Sequence, residues 1–406
     1  MSLPGYEQAL ASILASVSPL GIETVVAAEA LGHVLAHDLT VPADFPDQAR
    51  SAVDGYALGS CDGTTFTLMG EVAAGGEALP PLKTQEAAAV MTGAVVPAGT
   101  VAVVMLEQTS VDGDDLTVGM TVKPGDLINA AGSEVHKGEP LASAGQRLDV
   151  ASHAALMAAG LTELTVHRRP RVGLLITGDE VRPTPAPGAV FDANSYILKA
   201  VCTGLGCEVT ACRHIGDDEP ATRAILADLA TGCDLIITSG GVSKGRYDHV
   251  GHILRGDTER LLLQGTAIKP GRPMHVARLA DDTPVFGMPG YPTALLTNAF
   301  LYLVPALKAL GGRRDVATRW LAATLSDPMR YRPERLYLNR ATLTLSNGNW
   351  VAGDPGSQMS SHFLNFTRVQ GLIRMPLTPP PGHTGGAATL EAGQHVQALH
   401  FALELS

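Results

Sequence analysis

Val172-Gly173-Leu174-Leu175-Ile176-Thr177-Gly178-Asp179-Glu180 is an apolar run that ends on a polar, glycine-punctuated turn. The same pattern returns at residues 235–238, which lead into Ser239-Gly240-Gly241-Val242-Ser243. Between them, Ile197, Leu198, Val201 and Leu205 share one helical face behind a candidate cap at Asp192. Residues 208–212 read as a strand, Gly216-Asp217-Asp218-Glu219-Pro220 as a loop and 221–230 as a helix. A last helix is predicted over 292–310, where Gly311-Gly312 stops it. Apolar strands alternating with helices predict a doubly wound, mostly parallel sheet with helices on both faces.

Outward from this α/β segment the pattern changes. Tyr6, Leu10, Ile13, Leu14 and Val17 lie at helical spacing, and a second helix is expected over 22–35. Residues 41–50 carry Pro42 and Pro46 and read as a loop delivering Arg50-Ser51-Ala52-Val53-Asp54-Gly55-Tyr56. Residues 60–140 hold short β-like runs at 66–69, 101–106 and 116–122, a small β lobe. An Ala-rich helix follows over 152–160. Beyond Trp320 only short strands are signalled, at 335–338, 341–345, 372–375 and 396–401. Asn347-Gly348 marks a hairpin among them, so this end reads as a small β-barrel or sandwich.

A chain of 406 residues suggests two to four domains. Its 29 Lys and Arg against 40 Asp and Glu give a net charge of −11, which argues against a nucleic-acid partner. An apolar content of 45% argues against long disorder, and 44 glycines with 27 prolines imply many turns. No Lys or Arg precedes Arg50, so neither a secretory signal nor a mitochondrial presequence is expected. Thr297, Asn298 and Pro305 interrupt the apolar stretch 295–307, and no membrane span is expected there. Cys61, Cys202, Cys207, Cys212 and Cys233 form no CxxC pair and read as thiols of a reducing cytoplasm. The even spacing of Cys202, Cys207 and Cys212 is better explained by packing than by a metal.

Open parallel sheets bind ligands at the carboxyl ends of their strands. The loop from Ser239 through Gly240 and Gly241 to Ser243 lets backbone N–H groups approach an anion. Glu180, Asp217 and Asp248 would lie on neighbouring loops and repel one another. Together they make sense with a bridging divalent cation, expected to be Mg²⁺. Singly, each could be a helix cap. Ile268-Lys269-Pro270-Gly271-Arg272-Pro273 holds two cations in a proline-stiffened loop suited to an oxyanion, although a solvated turn is the simpler reading of that loop alone. Gly287-Met288-Pro289-Gly290-Tyr291-Pro292 is a rigid turn at a helix N-terminus. No HExxH, Gly-x-Ser-x-Gly or P-loop motif occurs.

In their order along the chain, Ser51-Ala52-Val53-Asp54-Gly55-Tyr56, Met91-Thr92-Gly93-Ala94, Thr177-Gly178-Asp179-Glu180, Ser239-Gly240-Gly241-Val242-Ser243, Lys269-Pro270-Gly271 and Met288-Pro289-Gly290 resemble the molybdopterin molybdenumtransferase family. The resemblance implies four domains. An elongated one comprises 1–40 and 141–168, a β lobe 41–140, a molybdopterin-binding α/β domain 169–316, and a C-terminal β-barrel 317–406. It implies a cytoplasmic homodimer whose site lies between the β lobe of one subunit and the α/β domain of the other. The implied reaction takes adenylylated molybdopterin and molybdate, cleaves the adenylate and inserts the metal with the help of Mg²⁺. Other cofactor-synthesis proteins are possible partners.

Carried over by position, Asp54 and Thr92 would reach in from the β lobe. Glu180, Asp217 and Asp248 would be the carboxylates of the α/β domain, with Asp248 the leading metal ligand. Gly178, Ser239, Gly240, Gly241, Ser243, Pro289, Gly290 and Pro292 would form the pterin and phosphate cradle. Lys269, Arg272, Arg340 and Ser357 would bind molybdate. The sequence also departs from the family pattern. Gly265 stands where some relatives place a Lys, Tyr291 and Ala294 replace Asn and Ser, Ala130-Ala131 replaces an Arg pair, and Glu134 replaces Asp. These departures motivate a second expectation, a non-catalytic or impaired member that scaffolds or delivers the cofactor. A generic Mg²⁺-dependent nucleotide enzyme would explain Glu180 and Asp248, but not the Asp54 and Thr92 segments.

Overall fold

The computed structural model describes residues 3–77, 79–182, 184, 187–242, 248–256, 260–379, 381 and 383–406. Its central sheet has strands β1 (Arg171–Thr177), β2 (Glu208–Ile215), β3 (Leu235–Ser239), β4 (Leu261–Gln264), β5 (His275–Arg278) and β6 (Pro284–Met288). Their order is β2-β1-β3-β6-β5-β4. The first four are mutually parallel, and β5 and β4 close the sheet as an antiparallel edge. The helices that matter below are α1 (Tyr6–Leu14), α2 (Val150–Ala158), α3 (Asn194–Gly204), α4 (Glu219–Ala230) and α5 (His249–Gly256). The last is α6 (Pro292–Leu310), which contains a π-helical stretch at Ala299–Leu303.

Burial on both faces explains why β1 and β3 read as continuous apolar runs. Leu174, Ile237 and Phe286 pack on one face with Tyr6 and Ile13 of α1 and Phe300 and Leu301 of α6. Their neighbours Leu175, Ile236 and Val285 point the other way, onto Leu226 and Leu229 of α4 and Ile253 and Leu254 of α5. Burying one such aliphatic side chain is worth about 1.5–3 kcal/mol, so the two layers fix the sheet and the loops at its edge. Asp218 caps α4 by accepting from the Ala221 N–H at 2.9 Å, with Pro220 just inside the helix.

The helix expected over 22–35 does not form. Ile22–Val26 is a strand that pairs antiparallel with Glu163–His167, and Val34–Leu35 pairs with the other edge of the same strand. Only Ala27–Glu29 is a helical turn, of 3-10 type. Ile22, Thr24, Val25 and Val26 are β-branched and favour extended backbone, and their partner strand arrives from a distant part of the chain. The Ala-rich helix α2 is present, capped by Asp149 and Ser152 in a capping box.

The β lobe is a six-stranded sheet in the spatial order Ala102–Met105, Gly55–Leu58, Glu86–Val90, Thr65–Val72, Asp115–Val118, Thr109–Asp112. At the other end Leu336–Ser346, Asn349–Gly353, Trp320–Leu325, His395–His400 and Gly371–Arg374 close on one another as a five-stranded barrel, not a sandwich. The two strands expected at 335–338 and 341–345 are one continuous strand. Asn347 and Gly348 both take positive φ, 49° and 77°, in the two-residue turn that follows it. The chain is threaded between domains at one point that matters for the site. Ile268–Lys269 adds to the barrel strand in parallel, opposite Leu336 and Tyr337.

Helix α6 is the one helix, among the described residues, long and apolar enough to cross a membrane, but 94% of its apolar window is buried inside the fold as a core helix. Lys308 on α6 pairs with Glu404 at 3.1 Å, and both side chains are buried. Cys202, Cys207 and Cys233 are buried, and burial pushes the Cys207 thiol up to about 12. Cys202 and Cys207 belong to the hydrophobic core under the sheet, and Cys212 packs against it.

Candidate functional site

Three of the loops singled out in the sequence lie at the carboxyl edge of the parallel sheet, after β1, β2 and β3, and the Pro289–Gly290 turn lies after β6. Gly240 takes φ +96°, and a Cβ there would fall 2.7 Å from Thr177 Oγ1 and 2.9 Å from Thr177 O. Only glycine allows the loops after β3 and β1 to meet so closely. Gly290 lies against Gly240 in turn. Asn194, at the start of α3 and buried, bridges the two loops. Its Nδ2 donates to Ser239 Oγ and to Gly290 O, both at 2.7 Å, and its Oδ1 is buried without a partner among the described residues. Sequence reasoning missed Asn194, whose only signal was its place next to the helix start. Ser243 belongs to residues 243–247, outside the described residues.

The acidic side of this edge is built from Asp179, Glu180 and Asp217. Glu180 is exposed, with its carboxylate beside Gly178. The Asp217 N–H donates to Asp179 Oδ1 at 3.1 Å. Burial, together with the charges of Asp179 and Glu180, raises the Asp217 carboxyl above its ordinary value. Asp248 sits apart from them. Its Oδ1 accepts from the Gly251 N–H and its Oδ2 from Arg255 Nη2, each at 3.1 Å, and the residue is 2% exposed. Burial raises its carboxyl although Arg255 opposes this. The expected leading metal ligand is therefore engaged within the protein, whereas Glu180 is exposed and Asp217 half-buried.

The basic side is a cavity of about 440 Å³ where the Lys269 loop meets the barrel. Lys269, Arg330 and Arg340 line it, and none of its lining residues is acidic. Lys269 Nζ lies 5.3 Å from the centre of the Tyr337 ring. Arg340 is 2% exposed, and its Nη2 donates to Ser357 O at 2.5 Å and Met359 O at 3.3 Å. Among the described residues its Nε is buried with no partner and no carboxylate lies within ion-pair distance, although the more distant Asp354 acts on it. Lys269 and Arg340 are thus brought together, although they come from different domains. Arg272 is exposed and does not line the cavity, and the Ser357 hydroxyl is turned to His362 Nδ1 at 2.9 Å. Arg330 was missed, because a lone Arg beside a short barrel strand carries no motif.

The departures at Gly265 and Ala294 have structural correlates. Gly265 is buried at φ +75°, and a Cβ would lie 3.2 Å from both Arg272 O and Leu3 Cδ2, so a lysine there would be strained. Ala294 is buried on α6 at 6% exposure, whereas Tyr291 is 61% exposed just before that helix. In the β lobe, Asp54 Oδ1 accepts from the Thr92 N–H at 2.6 Å and from Thr92 Oγ1 at 2.8 Å. These bonds, the backbone one first, hold the Asp54 carboxyl below its ordinary value. Asp54 and Thr92 are therefore a pair, but no hydrogen bond carries them to the sheet edge among the described residues.

Comparison with known proteins agrees along the chain. Residues 5–160 match the family described as the MoeA N-terminal region (domain I and II), and residues 173–309 match the probable molybdopterin binding domain. Molybdopterin molybdenumtransferase 2 of Mycobacterium tuberculosis is 32% identical over 391 residues, covering 92% of this chain and 95% of that protein. The molybdopterin molybdenumtransferase of Nostoc sp. is 30% identical over 390 residues, covering 91% and 86%. The crystal structure of the molybdopterin biosynthesis MoeA protein from Pyrococcus horikoshii OT3 superposes with a TM-score of 0.80 at 27% identity, over 98% of this chain and 100% of that one. On the ordered fold, the site loops and these likenesses together, the chain belongs to the molybdopterin molybdenumtransferase family.

Proposed function

We propose that this protein, a transferase of molybdenum cofactor biosynthesis, inserts molybdenum into adenylylated molybdopterin, cleaving the adenylate and releasing AMP. The observation that carries this reading is the Lys269–Arg330–Arg340 cavity. In a chain of net charge −11, it gathers three cations and no acid, and one cation is buried with a donor unused. A small tetrahedral dianion such as molybdate would fill that donor and balance the charge. The same chemistry makes a scaffold-only role the weaker reading.

In the proposal, the Gly240-Gly241 turn holds the phosphates, where only glycine leaves room for close approach; the Gly178 and Gly240 N–H groups already donate to Ile215 O and Met288 O, which leaves the Gly241 N–H as the donor without a partner among the described residues. Asn194 fixes this loop against Pro289-Gly290, and Pro292 starts the helix behind it. Hard carboxylate oxygens at Glu180 and Asp217 suit Mg²⁺, which commonly takes one or two carboxylates and completes its shell with substrate phosphate and water. Glu180 and Asp217 would hold it, and Asp248 would join only on release from Arg255. When bound, the ion would offset charge on the phosphates. Asp54 and Thr92 would act from the lobe of a second copy, so a homodimer is part of the proposal. Lys269 and Arg340 would strip water from molybdate and present it to the dithiolene. Arg272 and Ser357, outside the cavity in this conformation, would contact the entering anion.

The test is to incubate the purified protein with adenylylated molybdopterin, Mg²⁺ and increasing molybdate, and to follow AMP. The reading requires AMP release that saturates with molybdate. Absence of AMP at every molybdate concentration would return the scaffold reading to first place.

A further inference from the structure

A second group of arginines lies away from the sheet edge, where the segment 145–150, the residues after α6 and the 401–406 end come together. They line a cavity of about 690 Å³. Arg147, Arg313, Arg314 and Arg319 face it, against Asp149 and Asp315. Both acidic side chains are already engaged, and the backbone carboxyl of Ser406, the last residue of the sequence, also reaches this cavity. Asp149 caps α2 by accepting from the Ser152 N–H at 2.8 Å. Asp315 accepts from Arg313 at 2.7 and 2.6 Å and from Arg319 at 2.6 Å.

Among the described residues, neither Arg147 nor Arg314 forms an ion pair with an acidic side chain. Arg147 donates only to carbonyl oxygens, Leu405 O at 3.3 Å and Gly204 O at 3.4 Å, and its Nε is buried without a partner. Arg313 is 7% exposed, one Nη2 bond goes to Ser406 O at 2.8 Å, and its Nη1 is buried without a partner. The Arg314 side chain makes no hydrogen bond among the described residues and is exposed at the cavity. Burial, and then the neighbouring Arg313 and Arg169 charges, lowers the Arg147 proton affinity, with Asp315 opposing them. Buried guanidinium N–H groups without acceptors are costly, and a planar fork of such donors matches a tetrahedral oxyanion.

We propose that this cavity is a second oxyanion site, taking inorganic phosphate or a phosphate monoester through Arg147, Arg313 and Arg314. It shares no residue with the Lys269–Arg340 cavity and does not depend on the function proposed for that cavity. Its ligand would tie the N-terminal segment, the end of α6 and the C-terminal residues to one another.

The experiment titrates the full-length protein with inorganic phosphate and, separately, with AMP, reading binding by calorimetry and the unfolding midpoint. Three proteins are compared: the unaltered chain, Arg314→Gln, and Arg147→Gln with Arg314→Gln. The expected result is phosphate-dependent stabilisation of the unaltered chain, about tenfold weaker binding in Arg314→Gln, and loss of that binding class in the double variant. Tighter binding of AMP would assign a monoester, and tighter binding of phosphate the free ion; either supports the site. Unchanged affinity and stoichiometry in the variants would overturn it. Should the double variant not fold, Arg314→Gln decides alone, since its exposed side chain holds no hydrogen bond.

Discussion

Arg340→Met separates binding from folding. The guanidinium is buried, has no carboxylate partner and donates to two backbone carbonyls. Loss of those bonds leaves Ser357 O with Asn365 Nδ2 at 3.0 Å. Met359 O loses the Arg340 donor, at a cost of about 1 kcal/mol. Against this, an apolar chain of similar length removes the penalty of a buried, unpaired cation, which often equals or exceeds that cost. The fold should therefore stay within about 1 kcal/mol of the unaltered protein. Molybdate would lose a hydrogen bond to a charged donor in a dry cavity, worth about 1.5–3 kcal/mol, or roughly a tenfold to hundredfold fall in affinity. Calorimetric titration with molybdate and urea unfolding, on the same preparation, measure the two quantities. Unchanged molybdate affinity would refute the assignment of the cavity, and a large loss of stability would show that Arg340 serves the barrel instead.

Three further outcomes follow from particular contacts. Glu404→Ala leaves Lys308 buried and unpaired and also removes the acceptor of the Arg319 N–H at 2.6 Å; urea unfolding should show a loss of about 3–5 kcal/mol, with Glu404→Gln costing less. His275 is held down to about 4 by burial and Arg255, against an ordinary 6.5. The unfolded chain then binds a proton that the native state refuses, so this contribution is full above pH 6.5 and falls on the order of 3 kcal/mol as the pH drops through that window; the slope should lessen in His275→Gln, with His33 and His400, also held down by burial, supplying the remainder. Asp217 carries a raised carboxyl, so its charge is unfavourable at neutral pH. Asp217→Asn should raise the unfolding midpoint at pH 7, the gain should disappear below the ordinary carboxylate range, and Mg²⁺ dependence of AMP release should weaken.

The α/β core was legible because burial on both faces writes itself into the sequence. Val172 to Thr177 and the run before Ser239 were read nearly to their observed limits. The Asn347-Gly348 turn was equally plain, since two successive positive φ values demand such residues. The segment from Ile22 to Leu35 was not, because its pairing partner lies near Leu164, and local periodicity says nothing about a distant strand. Within the site, motif loops found the sheet edge. Arg330 escaped because its role arises only when the barrel folds back onto Lys269, and Asn194 escaped because a bridging amide has no spacing rule. The reverse also holds. Asp248 looked like an open carboxylate in the sequence, yet Arg255, seven residues further on, takes up its charge.

The most direct measurement is molybdenum insertion by the purified protein supplied with adenylylated molybdopterin, molybdate and Mg²⁺, counting AMP released against molybdenum bound to the pterin. The account predicts a molybdate-dependent release matched one to one by metal, and its loss in Lys269→Ala. AMP release without molybdenum insertion, or neither at any molybdate concentration, would contradict it.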